Sequence, residues 1–121
     1  MRVFADMRLL VDTGADATSI HWADRKRLRD ANGKPLPEHT TFAGQSDASG
    51  IAGAPVQYGT EDAEFYFRTE NNGLLLELIH AKIALDDTTA RVPSLLGRDI
   101  LSVARLDFDM PADRLALEWP T

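Results

Sequence analysis

Short apolar segments separated by turn residues recur along the whole chain. An apolar run at residues 9–11 and the segment 92–96 predict strands that enter a core. Further strands are predicted at residues 63–68, 74–78, 106–110 and 114–119, and residues 79–85 are expected to continue the second of these in extended form. Asn72-Gly73 lies between two of these strands and is a strong hairpin signal. Because turns recur every ~8–12 residues, the pattern is typical of a small closed β-fold.

Two other segments are predicted to be helical. Residues 98–105 place apolar side chains at helical spacing and predict a short helix. The charged segment 21–31 also predicts a short helix, which Asn32-Gly33 would end through the left-handed preference of glycine. His21 and His39 have no carboxylate cluster beside them, so we expect surface residues rather than metal ligands. A solvated helix face is expected for the basic residues Arg25, Lys26, Arg27 and Arg29.

The first apolar run ends abruptly at Asp12-Thr13-Gly14. These residue types leave a strand through a tight turn. Since the turn follows a strand that we expect to be buried, its carboxylate and hydroxyl should lie near the interior, where they suggest a site. Taken alone, however, the tripeptide is more typical of an ordinary turn than of a site.

Residues 44–53 are rich in Gly, Ser, Ala and Asp, and strand-like residues follow at 56–58. Two extended arms around a small-residue tip indicate a mobile hairpin. An ordinary flexible loop has the same composition, and this segment taken alone favours the loop.

Composition excludes several classes of function. The 121 residues fit one domain, with an ordinary hydrophobic fraction of 44%. A formal charge of −6 disfavours nucleic acid and anionic membranes as partners. The absence of cysteine excludes disulfides and thiolate metal sites. No apolar run approaches the ~18 residues of a membrane span, and no signal peptide is visible, so we expect a soluble domain whose compartment is unknown.

Three blocks of the sequence together resemble a known family. Residues 10–15, Leu-Val-Asp-Thr-Gly-Ala, resemble the active-site signature of aspartic peptidases, specifically the retropepsin-like family of retroviral proteases and their cellular and bacterial relatives. Residues 94–101, Ser-Leu-Leu-Gly-Arg-Asp-Ile-Leu, resemble that family's second signature, in which apolar pairs flank Gly-Arg-Asp/Asn. Residues 49–53, Ser-Gly-Ile-Ala-Gly, stand between them, where the family carries its glycine-rich flap. The resemblance covers roughly residues 9–118.

The resemblance implies a fold and an assembly. The fold is an all-β, closed β-barrel acid-protease lobe with one short helix on the C-terminal side, and residues 1–121 form a single domain that works as a symmetric dimer. Family members usually have a further strand or two before the Asp-Thr-Gly strand. Since only short sequence precedes that strand here, we expect that one or more N-terminal strands are lacking.

The implied activity is that of an aspartic endopeptidase acting on extended peptides or proteins. Hydrolysis of an amide without a covalent intermediate needs a base to activate water and an acid to protonate the leaving group. Two carboxylates about 3 Å apart share one proton and can perform both roles. The chain has a single Asp-Thr-Gly, so the second Asp12 is expected from the partner chain of a homodimer. No metal or other cofactor is expected.

The resemblance also implies a role for each matching residue. Asp12, Thr13 and Gly14 are the catalytic triplet, in which Thr13 bonds across the two-fold axis and Gly14 lies beside the substrate. Ala15 and Asp16 are expected to line the substrate site, and Asp16 to pair with Arg98. A cation at a helix start opposes the helix dipole, so an acidic partner is the better explanation for Arg98. The flap residues expected on the substrate are Gly50, Ile51, Ala52 and Gly53, and those that support the site are Gly97, Arg98 and Asp99.

Ala17 occupies a position where the family often has a second acid, so the resemblance implies no side-chain specificity there. Two other functions remain open. One is a catalytically silent module of the same fold that binds peptides or dimerises. The other is a processing domain that cleaves only its own longer polypeptide, which would be separated from a general peptidase by cleavage of a fused parent sequence but not of generic peptides.

Overall fold

The chain is mostly β-sheet over residues 2–48 and 56–120, which the computed structural model describes. The predicted all-β class is therefore correct, whereas the flap residues Gly50, Ile51, Ala52 and Gly53 lie outside the described residues. The elements, in chain order, are β1 (Leu10–Val11), β2 (Ser19–Ile20), α1 (Trp22–Arg25), β3 (Gly44–Ala48), β4 (Val56–Arg68), β5 (Leu74–Ala84), a 3₁₀ turn (Asp87–Thr89), β6 (Leu95–Leu96), α2 (Arg98–Leu101), β7 (Arg105–Asp109) and β8 (Arg114–Glu118). Neither α-helix in this part of the chain has the length to cross a membrane.

Six strands form one mixed sheet in the order β1-β6-β2-β5-β4-β3. The pairs β1–β6 and β2–β5 are parallel, and the other neighbours are antiparallel. The prediction of a closed barrel is wrong for the described residues, because the sheet is open, with β1 and β3 as its edges. Strands β7 and β8 pair only with each other, so no described strand joins the two edges.

The longest strands form the predicted Asn-Gly hairpin. Strands β4 and β5 pair in antiparallel register from Tyr58 opposite Ala84 to Arg68 opposite Leu74. Asn72, in the turn, has a φ of 63°, which asparagine tolerates better than most residues. Strand β5 covers the predicted strand at 74–78 and most of its extended continuation at 79–85, whereas β4 is longer than predicted because the pairing continues into the buried base of the sheet.

The core lies where the base of this hairpin meets the short strands and α2. Ile100 and Tyr58 are fully buried there. The other buried apolar residues are Ile20, Leu28, Leu36, Val56, Ala81, Ile83, Ala84, Leu95 and Leu96. Both predicted helices are shorter than expected: α1 ends at Arg25, and α2 ends at Leu101 because β7 begins at Arg105.

Arg25 contradicts the prediction that the basic residues of the first helix are all solvated. Its side chain is buried, and the guanidinium donates hydrogen bonds to the carbonyls of Ala84 (2.7 Å), Pro37 (3.0 Å) and Glu38 (3.0 Å). The planar fork of arginine can satisfy several carbonyls at once, so Arg25 ties the loop at 37–38 to the end of β5. Glycine does not end α1: Gly33, at φ +78°, belongs to the separate turn that follows.

His21 contradicts the prediction of a surface histidine. The imidazole is completely buried, with Nδ1 2.7 Å from the carbonyl oxygen of Pro93 and Nε2 3.0 Å from the hydroxyl of Tyr58. Because a carbonyl can only accept, Nδ1 carries the proton and Nε2 of the neutral ring accepts from Tyr58. Burial lowers the pKa of His21 below its ordinary value, although the Pro93 carbonyl opposes this shift.

Candidate active site

The two motif blocks resembling the peptidase signatures lie side by side in the sheet. Strand β1 pairs in parallel with β6, with Leu10 opposite Leu95 and Val11 opposite Leu96. The amide of Asp12 donates to the carbonyl of Leu96 at 3.0 Å, which continues the ladder by one residue. Since parallel strands end at the same side of a sheet, the turn that begins at Asp12 and the turn that begins at Gly97 lie next to each other.

The first turn holds the Asp12 carboxylate in place. Oδ1 of Asp12 accepts a hydrogen bond from the amide of Gly14 at 2.9 Å, and the Asp12 carbonyl accepts from the amide of Ala15 at 3.2 Å. An aspartate that bonds the backbone two residues on is a standard way to build a tight turn. The carboxylate of Asp12 is thus oriented by its own loop.

This turn is more open than the sequence predicts. Thr13 and Gly14 are exposed, Asp12 and Ala15 are half-buried, and Leu10 in β1 is 54% exposed. The expectation of a buried turn fails because β1 has only two residues and forms an edge of the sheet. Among the described residues, no hydrogen bond joins Asp12 to a second carboxylate.

Hydrogen bonds between Thr18 and Asp99, which are 81 positions apart in the sequence, join the two turns. Asp99 accepts from the Thr18 amide at Oδ2 (2.9 Å) and from the Thr18 hydroxyl at Oδ1 (2.7 Å). The same hydroxyl oxygen accepts from the buried amide of Gly97 at 3.1 Å. Thr18 is fully buried and Asp99 is half-buried, and these bonds join the loop after Asp12 to the start of α2.

Thr18 was missed as a site residue. Its only signal in the sequence is a hydroxyl placed shortly before the apolar Ile20, and such a residue gives no information about its distant partner. The structure places Asp99, which was expected to support the site, directly on Thr18.

Gly97 permits a close approach between the two turns. A Cβ at this position would lie 2.5 Å from the carbonyl carbon of Ala17, 2.6 Å from its oxygen and 2.9 Å from the amide nitrogen of Thr18. These are backbone atoms, which cannot rotate away. The φ of Gly97, −97°, is available to any residue, so glycine is required here for space and not for its conformational freedom.

Arg98 and Asp16 do not form the expected ion pair. Arg98 is exposed, and its amide donates to the carbonyl of Ala15 at 2.8 Å. Among the described residues the cation nearest the Asp16 carboxylate is Lys82, whose Nζ lies 3.6 Å from Oδ1. Lys82 can reach Asp16 because β5 pairs with β2, opposite Ser19 and close to the loop that contains Asp16.

The described residues include no group of three or more His, Asp or Glu side chains that could hold a metal ion. What they do assemble is one oriented, half-buried carboxylate in an exposed turn, backed by a buried hydrogen-bond network. Comparison of the chain with protein-family models, with curated proteins and with solved structures found no match in any of the three.

Proposed function

We propose that this chain is one subunit of a homodimeric aspartic endopeptidase in which two copies of Asp12 form the catalytic dyad. The observation that carries the proposal is the position of the Asp12 carboxylate: it is fixed by the Gly14 amide, in an exposed turn, beside the Gly97-Arg98-Asp99 turn. The resemblance of both turns to the family signatures supports the same activity.

The accessibility of this region favours assembly around it. A single carboxylate can accept a proton from water, but it cannot at the same time donate one to the leaving amine. Thr13 and Gly14 are exposed and Leu10 is 54% exposed, so a second copy could approach the turn along a two-fold axis without unfolding either chain.

The dyad would hydrolyse the peptide bond through proton transfers alone. With one proton shared, the ionised carboxylate takes a proton from water as the oxygen attacks the peptide carbonyl carbon. The protonated carboxyl then gives its proton to the departing amide nitrogen as the C–N bond breaks. The products are a carboxylic acid and an amine, and the dyad again holds one shared proton.

The test is cleavage of a mixed peptide library across mildly acidic pH by the wild type and by Asp12→Asn. Asn keeps a side-chain oxygen that can accept from the Gly14 amide, so the turn should persist while the acid–base chemistry is lost. The matched control is Asp87→Asn, the same change at an exposed aspartate in the 3₁₀ turn. We expect cleavage by the wild type and by the control, with none by Asp12→Asn.

Cleavage that survives in Asp12→Asn would contradict the assignment of Asp12. Absence of cleavage by all three proteins would contradict the peptidase and favour a silent binding module of the same fold. A wild type that cleaves only a fused parent sequence would favour the self-processing domain. Specific activity should also fall on dilution, because the proposed active species is a dimer.

A further inference from the structure

Lys82 is placed between the rigid base of the sheet and the loop that follows Asp12. Its amide donates to the carbonyl of Thr18 at 3.1 Å, within the parallel pairing of β5 and β2. The side chain is only 16% exposed, whereas that of Asp16 is 76% exposed. The lysine stem is therefore buried, while its ammonium reaches the surface beside the Asp16 carboxylate.

The surroundings of the Lys82 side chain restrict its motion. The ammonium lies 6.0 Å from the centre of the Tyr58 ring, at the outer range of a cation–π contact. Tyr58 is fully buried and is itself held by the hydrogen bond between its hydroxyl and His21 Nε2 at 3.0 Å. The Lys82 ammonium thus lies between the buried Tyr58 ring and the exposed Asp16 carboxylate.

We propose that Lys82 is a positioning residue that holds Asp16, which the resemblance places in the substrate site, in an orientation from which it can accept a hydrogen bond from the main chain of a bound peptide. This inference rests on the proposed peptidase function. The ammonium lies on the Oδ1 side of Asp16, at 3.6 Å, which leaves Oδ2 to accept from a peptide N–H. Arg98, the cation expected for this role from the sequence, forms no ion pair among the described residues.

The experiment is a double-mutant cycle on the peptide that the wild type cleaves best in the library. Steady-state kcat and KM are measured for the wild type, Lys82→Met, Asp16→Asn and the double variant. Lys82→Arg tests rescue by a second cation, and Lys34→Met, at an exposed loop lysine, is the control for loss of one positive charge. The same enzymes are tested on peptides that are N-methylated at one position at a time, which removes one backbone donor.

We expect Lys82→Met to raise KM by about two- to fivefold with little change in kcat. This range corresponds to the contribution that a partly exposed ion pair makes to a binding free energy. Asp16→Asn should raise KM at least as much, and the double variant should be no worse than Asp16→Asn. Lys82→Arg and Lys34→Met should resemble the wild type. For the wild type, one N-methylated peptide should have a higher KM than its unmodified form. For Lys82→Met the same methylation should raise KM less, a difference that a purely structural role would not produce.

Additive effects of the two substitutions, or an unchanged KM in Lys82→Met, would overturn the role of Lys82 while leaving the peptidase intact. Absence of cleavage by the wild type would instead refute the proposed function, and this inference with it. If Lys82→Met does not fold, Lys82→Gln replaces it in the cycle, and thermal unfolding of each variant distinguishes lost stability from lost binding.

Discussion

Replacing Thr18 with valine tests whether the buried network behind the Asp12 turn holds the fold together. Valine has nearly the shape of threonine but lacks the hydroxyl. The variant loses the 2.7 Å bond from Oγ1 to the Asp99 carboxylate and leaves the buried Gly97 amide without its acceptor at 3.1 Å. We therefore expect Thr18→Val to destabilise the protein strongly although it changes almost no volume.

The magnitude follows from two losses. A hydrogen bond to a charged group contributes about 1.5–3 kcal/mol, and an unsatisfied buried amide costs about 1–3 kcal/mol. Asp99 keeps the amides of Thr18 and Ile100, each at 2.9 Å, so the sum should lie near the lower ends, at about 3 kcal/mol. With an unfolding entropy of about 2.1 cal/mol/K per residue, this loss lowers the melting temperature of the 121-residue chain by about 12 °C.

The assay is thermal and urea unfolding of the wild type, Thr18→Val and Thr18→Ser at neutral pH. Serine keeps the hydroxyl and removes only a buried methyl, which should cost about 1 kcal/mol. The unfolding m-value should be equal in all three proteins, because the surface exposed on unfolding is unchanged. A decrease in melting temperature below about 4 °C for Thr18→Val, or an equal decrease for serine and valine, would refute a stabilising role of the hydroxyl.

Two further predictions concern packing and protonation. Gly97→Ala should destabilise the protein by about 2 kcal/mol or more, because the added Cβ meets backbone atoms of Ala17 and Thr18 at 2.5–2.9 Å. Urea unfolding checks this, and an unfolding midpoint equal to that of the wild type would contradict it. Stability should also fall as pH decreases below about 6.5, by at most about 1.4 kcal/mol per pH unit from this group, because the unfolded chain binds a proton at His21 while the lowered pKa keeps the folded imidazole neutral. Chemical unfolding from pH 7.5 to 5 gives the free energy of unfolding as a function of pH. Its slope should be smaller for His21→Gln than for the exposed control His39→Gln, and equal slopes would contradict the prediction.

Local sequence patterns correctly predicted the strands and turns that are determined by residues close together in the sequence. The strands at 63–68 and 74–78, their Asn72-Gly73 turn and the C-terminal strand pair all occur, because alternation and turn chemistry act over a few residues. The length of β4 was underestimated, since polar residues such as Thr60 interrupt the apolar pattern although they lie within the pairing.

Side-chain environments could not be predicted, because their causes are distant in sequence. His21 is buried by Pro93 and Tyr58, and Arg25 by carbonyls at 37–38 and 84. A basic run on a short helix predicts solvation unless acceptors from elsewhere face it, and the run itself contains no information about them. The Asp16–Arg98 pair failed for the same reason, since the pairing of β5 with β2 brings Lys82 to Asp16.

The closed barrel is a separate error: β7 and β8 were correctly predicted as a strand pair, but among the described residues they join neither edge of the six-stranded sheet. Alternation identifies a strand and its buried face but does not identify the neighbour that completes the ladder. In the described residues these strands pair with each other, and Trp119 after β8 contacts the β4–β5 hairpin through the Phe67 ring, 5.2 Å away, and through a 2.7 Å bond from Nε1 to Glu77. Side-chain contacts thus replace the backbone pairing that a closed barrel would need.

Most of the residues around the candidate site also stabilise the fold, and this decides which substitution can separate function from structure. Removing Thr18, Gly97 or Asp99 would disturb buried bonds or close backbone contacts, so lost activity in such variants would not identify chemistry. Asp12 differs, because its side chain makes one hydrogen bond among the described residues, from the Gly14 amide, and the side-chain oxygen of asparagine can still accept that bond. Asp12→Asn should therefore unfold at nearly the wild-type temperature. If it does, any loss of cleavage is due to the missing carboxylate, because the fold does not need an ionisable group at this position.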